Sequence, residues 1–267
     1  MNILMIGDSW GVPNYVWGPL VDWGPEHHTE HLLRNLGYHV YNYSGNSLSN
    51  LQSMNLVDFS KRHDGMDETL IPIAGTGEPD YLGRTLGTWM APKGIPASLP
   101  KQVDWTIWFH TEVFRDGFDA NNYHSKSNKT FQENLEAQSH MVYSFAKDFF
   151  HKVGGKLAVI GGQAPIGPKV RDIFYSYIQP DFIIEDWRSE ILGMDLECYT
   201  AISVNGHEAW AIQGNDTVEE QERLVDIQEK TLGAMYDSTD FPDSAHPGCR
   251  PHANLTQRLH EVFQKLP

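Results

Sequence analysis

The sequence predicts an α/β fold, a three-layer α/β/α sandwich around a mostly parallel central sheet. Short apolar runs without internal alternation read as strands buried on both faces. Stretches with a 3.6-residue apolar period alternate with them, as crossover helices do. Glycines stand where two of those helices should stop, at Gly37 and Gly154.

Taken in order, Asn2 to Ile6 is the first strand expected and Glu26 to Leu36 the first helix. Tyr38 to Tyr43 follows as a strand, then Leu48 to Phe59 as a helix, Trp105 to Phe109 as a strand and Phe131 to Lys152 as a long helix. Lys156 to Ile160 and Phe182 to Ile184 are strands on either side of a helix over Pro168 to Tyr177. Helices over Val218 to Tyr236 and Asn254 to Leu266 complete the series. Two stretches fall outside the repeat. Ser60 to Gln102 is rich in Gly and Pro and has little periodicity, so it reads as a loop-rich insertion, a length that connections reach when they form a lid or a substrate wall. In Ile202 to Ile212 the pair Asn205-Gly206 between alternating apolar residues suggests a two-residue hairpin. No repeat or low-complexity linker divides the 267 residues, so one domain with an insertion at about 60–102 is expected.

Composition narrows the partners. With 35 acidic against 20 basic side chains the formal charge is −15, and no Lys/Arg cluster offers the basic face that a phosphate backbone or an anionic membrane surface needs. Neither nucleic acid nor membrane is expected. Two cysteines, Cys198 and Cys249, exclude a disulfide framework and fit a reducing compartment. The first residues lack a basic region and meet Asp8 too soon for a signal core, and no apolar run approaches 18 residues. A cytoplasmic location is therefore the default; the sequence sets no oligomeric state.

Chemistry concentrates in two short segments. Gly7-Asp8-Ser9-Trp10-Gly11 places a serine where the first strand gives way to a loop, and ligands of open α/β sheets bind at that carboxyl edge. A serine there can present its hydroxyl and aim its own N–H at a substrate oxygen, although the same triplet also makes an ordinary capped turn. Near the other end, Pro242-Asp243-Ser244-Ala245-His246 offers a base for that serine and a carboxylate to fix its tautomer. Alone, it also reads as a capped turn with a surface histidine.

These two segments, with Ser44-Gly45-Asn46-Ser47 between them, resemble the SGNH (GDSL) hydrolase family in order and in spread across almost the whole chain. The resemblance implies a flavodoxin-like SGNH hydrolase fold. It further implies Ser9 as nucleophile, His246 as general base and acid, Asp243 as its orienting carboxylate, and the N–H groups of Ser9 and Gly45 as oxyanion donors.

One block departs from the family pattern. Where the family carries Gly-x-Asn-Asp after its third strand, this chain has Trp108-Phe109-His110-Thr111-Glu112, without the oxyanion amide. An ionised Glu112 facing an oxyanion would repel it by about 4 kcal/mol for unit charges ~4 Å apart at an effective dielectric near 20. Either Glu112 is protonated or turned away, or His110 or Thr111 donates, or Asn121 or Asn122 moves in, or the site is impaired. Loss of one such donor typically costs about 10² to 10³ in turnover. Gly214-Asn215-Asp216 lies well after the fourth strand and reads as coincidence.

Other clusters point less far. His27, His28, Glu30 and His31 lack a third zinc ligand in the right place, and His246, Cys249 and His252 hold a single thiol, so no metal is expected. Gly75-Thr76-Gly77 lacks the Gly-Lys-Ser/Thr that would make it a phosphate loop. Trp10, Trp17 and Trp23 follow the proposed nucleophile; indole faces can stack on sugars or line an acyl pocket, and they equally serve a core. Trp10 and Trp17 are carried as substrate contacts. The expected activity is cofactor-free ester cleavage through an acyl-serine on a small ester or acetylated glycan. A catalytically weak glycan-binding module and an acyltransferase are the alternatives.

Overall fold

A computed structural model describes residues 1–11, 28–45, 48–64, 70–72, 94–111, 113, 131–161, 166, 168–185, 187 and 249–266. In chain order the strands are β1 (Asn2–Gly7), β2 (His39–Asn42), β3 (Arg62–His63), β4 (Leu70–Pro72), β5 (Gly94–Pro96), β6 (Leu99–Pro100), β7 (Trp105–His110), β8 (Lys156–Gly161) and β9 (Phe182–Ile184). The helices are α1 (Thr29–Asn35), α2 (Asn50–Asn55), α3 (Phe131–Val153), α4 (Pro168–Tyr177) and α5 (Cys249–Lys265).

The main sheet runs β2-β1-β7-β8-β9 and every pairing in it is parallel. This is the expected α/β architecture with a parallel sheet between helices. β1 sits between β2 and β7, with Leu4 facing Tyr41 on one side and Thr106 on the other. Chain order therefore reverses at β1, and open α/β sheets bind ligands in the crevice beyond such a switch point, here at the carboxyl ends of β1 and β7.

Successive side chains of these strands enter opposite layers. Ile3, Met5, Ile107, Phe109 and Ile160 pack with Leu33 of α1 and with Leu255, Leu259 and Phe263 of α5. Leu4, Ile6, Trp108 and Val159 pack with Met54 of α2, with Tyr143 and Phe149 of α3 and with Phe174 of α4. Burial on both faces explains why the strands read as unbroken apolar runs. In α5 the buried Leu255, Leu259 and Phe263 recur every fourth residue, one face of a helix turned to the sheet. Each such side chain contributes roughly 1.5–3 kcal/mol relative to exposure.

Helix ends follow local chemistry. Gly37 and Gly154 adopt positive φ, 89° and 75°, which stops α1 and α3 at the expected places. Ser49 and Gln52 form a reciprocal capping box that starts α2 two residues later than its apolar period suggested. α5 begins at Cys249 rather than Asn254. Pro251 falls in the first turn, where a proline removes only an N–H that has no helical partner.

The stretch read as loop holds two short ladders among its described residues. β3 pairs parallel with β6, and β4 pairs antiparallel with β5. Strands of two or three residues are too short to register as periodicity. Pro72, Pro96 and Pro100 lie in them, which two-stranded ladders tolerate because every strand is an edge. The helix expected over Val218 to Tyr236 and the hairpin in Ile202 to Ile212 lie outside the described residues. Among the described residues, no helix is long and apolar enough to cross a membrane.

Candidate functional site at the carboxyl edge of the sheet

β1 ends at Gly7, whose φ is 139° and whose place no other residue could take: a Cβ there would stand 2.4 Å from the Phe109 carbonyl oxygen of β7. The two strands thus touch at the point where the crevice opens. The chain then turns through a 3-10 segment, Ser9–Gly11, closed by the Gly11 N–H donating to Asp8 O at 3.1 Å. Asp8 is fully buried and its Oδ1 accepts from Trp10 N–H at 3.0 Å. The aspartate of the Gly-Asp-Ser block therefore caps the turn that carries Ser9.

The loop after β2 is locked to this turn. The parallel ladder continues past β2: Tyr43 N–H donates to Met5 O at 2.8 Å and Gly45 N–H donates to Gly7 O at 3.1 Å. The Gly45 N–H, an expected oxyanion donor, is thus directed along the sheet at Gly7. A Cβ on Gly11 would lie 2.2 Å from Ser44 Oγ, so the two loops meet in full contact. Asn42 joins them, as its Nδ2 donates to Gly11 O at 2.6 Å and to Glu30 Oε2 at 2.7 Å while its Oδ1 accepts from Ser44 N–H at 2.8 Å.

The third-block segment ends β7. His110 is buried, and its Nε2 lies 3.1 Å from the Tyr143 hydroxyl among the rings of Trp108, Tyr143 and Phe174. That environment turns it into the α3/α4 layer. Thr111 is fully buried, and Asn50 holds its main chain: Asn50 Nδ2 donates to Thr111 O at 2.8 Å and Oδ1 accepts from Thr111 N–H at 3.1 Å. The same Oδ1 accepts from Trp108 Nε1 at 3.1 Å. Asn42 and Asn50 escape sequence reasoning. The available signal was a polar residue in a segment expected to be buried, since such an amide must find partners.

On the α1/α5 side the Ser9 turn is fastened to the last helix. His28 caps α1 by accepting the Glu30 N–H on Nδ1 at 3.3 Å, which leaves the proton on Nε2, 3.2 Å from Trp10 O. His252 of α5 packs its ring 4.1 Å from that of His28, and its Nδ1 lies 2.9 Å from Thr29 Oγ1. Trp187 bridges His252 and Trp10, at 5.3 and 5.4 Å between ring centroids. His28 and His252, weighed above among metal-like clusters, are here a cap and a packing contact.

Trp10 requires a correction. It is 1% exposed and belongs to the core layer with Phe109, Trp187 and Leu255, so its indole is core packing and not a face offered to substrate. Its ring meets the edge of Trp187, which in turn packs on His252 of α5. Asp243, His246, Glu112, Trp17, Asn121 and Asn122 lie outside the described residues, as does the Ser9 side chain. The structure thus brings together the Ser9 turn, the Gly45 loop and Thr111 at one sheet edge.

No protein-family model matches the chain, and no curated protein does. One solved structure it is similar to is a family two carbohydrate esterase from Cellvibrio japonicus, at 14% identity and a TM-score of 0.36. The match covers 100% of this chain, which spans 62% of the length of that one. A likeness of this size carries no weight for chemistry.

Proposed function

We propose that the protein is a serine esterase working through an acyl-serine, with Ser9 as nucleophile, His246 as general base and Asp243 as the carboxylate behind it. The observation that carries this reading is the fastening of α5 beside the Ser9 turn, through His252 to Thr29 and His28 and from His28 to Trp10 O. α5 begins at Cys249, three residues after His246 in the sequence, and three residues of chain reach at most about 11 Å, so a histidine base at 246 is tethered within that reach of the helix that carries His252.

In the proposed reaction Ser9 Oγ attacks the ester carbonyl carbon while His246 takes its proton. The tetrahedral intermediate collapses, the C–O bond to the alcohol breaks, and His246 returns the proton to the departing oxygen. Water, deprotonated by the same imidazole, then attacks the acyl-serine and releases the acid. The Ser9 N–H is the proposed oxyanion donor. Gly45 N–H joins it only if it swings from Gly7 O or is shared with it. An O-acetylated carbohydrate is the proposed substrate class, on the family resemblance alone now that Trp10 is core.

A fluorophosphonate probe tests the proposal. The intact protein should be labelled at Ser9 and should release nitrophenol from short-chain esters; labelling no faster than that of Ser9→Ala overturns the mechanism. The engagement of Gly45 N–H with Gly7 O favours a second reading, a catalytically weak descendant that binds glycans. Glycan binding unchanged in Ser9→Ala, without ester turnover, would select it.

A further inference from the structure

Asn42 is 2% exposed at the end of β2, and all three arms of its amide are occupied. One Nδ2 proton goes to Gly11 O, the other to Glu30 Oε2, and Oδ1 takes the Ser44 N–H. The Glu30 carboxylate is in turn held through Oε1 by Arg34 Nε and Nη2, at 3.3 and 3.1 Å. A donor bound to a charged acceptor makes a stronger bond than one between neutral partners, so the Arg34–Glu30 pair fixes the amide's orientation from behind. Only an amide fits this position, because it must give two protons and accept one. Its two forward arms end on different loops: Gly11 O lies two residues past Ser9, and Ser44 N–H one residue before Gly45.

We infer that Asn42 is a positioning residue for the nucleophile: backed by Glu30 and Arg34, it sets the spacing between the Ser9 turn and the Gly45 loop. This rests on the esterase reading and adds to it a group that touches no substrate. An aspartate is the same size and keeps the bond from Ser44 N–H, but it releases Gly11 O and sets a second carboxylate against Glu30. Adding Glu30→Gln restores a bond between positions 42 and 30, now donated by the glutamine amide, and still leaves Gly11 O without its donor. Stability and positioning can therefore be separated.

The experiment measures fluorophosphonate labelling of Ser9 and thermal melting for wild type, Asn42→Asp, and Asn42→Asp with Glu30→Gln, at a temperature where the variants compared are folded. The single variant should melt lower and the double variant should recover most of the loss. Labelling should be slower by about 10- to 100-fold in both, as a displacement of ~1 Å at a reacting group can produce. Should the single variant fail to fold, the double variant carries the comparison. Labelling that recovers along with melting temperature in the double variant makes Asn42 merely structural and overturns the inference, as does wild-type labelling in either variant. A wild-type protein that takes no label at Ser9 overturns the esterase reading and this role with it.

Discussion

Asn50 grips both main-chain polar groups of Thr111, accepting its N–H and donating to its carbonyl, as a neighbouring strand would. The segment beyond β7 is thereby held at the crevice by a side chain from α2 instead of by another strand. Asn50→Ala would remove the three hydrogen bonds that Asn50 makes with Thr111 N–H, Thr111 O and Trp108 Nε1 in a buried place. Each unsatisfied group costs about 1–3 kcal/mol, so a loss of roughly 3 kcal/mol or more is expected on urea denaturation. A change below ~0.5 kcal/mol would mean the clamp contributes nothing.

Gly7 and Gly37 give a paired test of backbone strain against crowding. Both have positive φ, but a Cβ at Gly37 meets nothing within 4 Å whereas one at Gly7 meets β7 main chain at 2.4 Å. Gly37→Ala should cost only the conformational strain, about 1–2 kcal/mol. Gly7→Ala adds a clash that neither strand can relieve, and should cost several times as much and disturb the site. Equal losses by denaturation would disprove the close approach.

Tyr175 predicts an alkaline limb. Its phenol is pushed up to about 12 by burial first, then by the hydrogen bond it donates to Glu185 and by that carboxylate's charge, with Arg171 acting the other way. An unfolded tyrosine ionises near pH ~10, so between there and about 12 the folded chain holds a proton that the unfolded chain has lost. Its contribution is present below the unfolded value and drains away as pH rises through that window. Tyr175→Phe should lose less stability than wild type over the same interval. Parallel pH curves for the two proteins would contradict the assignment.

Ester hydrolysis, if His246 is the base, should fall on the acid side as its imidazole gains a proton. A pH–rate profile that stays flat from about pH 5 to 8 would remove histidine from the mechanism.

Much of the fold was legible because it is written in local patterns. Phe182–Ile184 and Pro168–Tyr177 coincide with the expected strand and helix, as apolar run and apolar period are properties of neighbouring residues. The start of α5 was not, since Pro251 is a breaker in a helix interior and harmless in a first turn, and sequence does not say which turn it occupies. At the site, Gly7-Asp8-Ser9 fell at the expected sheet edge, whereas Trp10 was assigned to substrate because an indole's composition is the same in a core and on a platform. His110 similarly looked able to serve the crevice until its neighbours proved to be Tyr143 and Phe174.

By itself the sequence determined the alternation of strands and helices, the burial of the strands on both faces, and the stops at Gly37 and Gly154, all of which depend on spacing and backbone freedom within a few residues. Only the tertiary structure decided what the polar side chains do. Asn42 meets Gly11, Asn50 meets Thr111 and His252 meets Thr29 across 31, 61 and 223 residues of chain. A hydrogen bond is made with whatever packing brings within about 3 Å, and local pattern carries no record of that encounter.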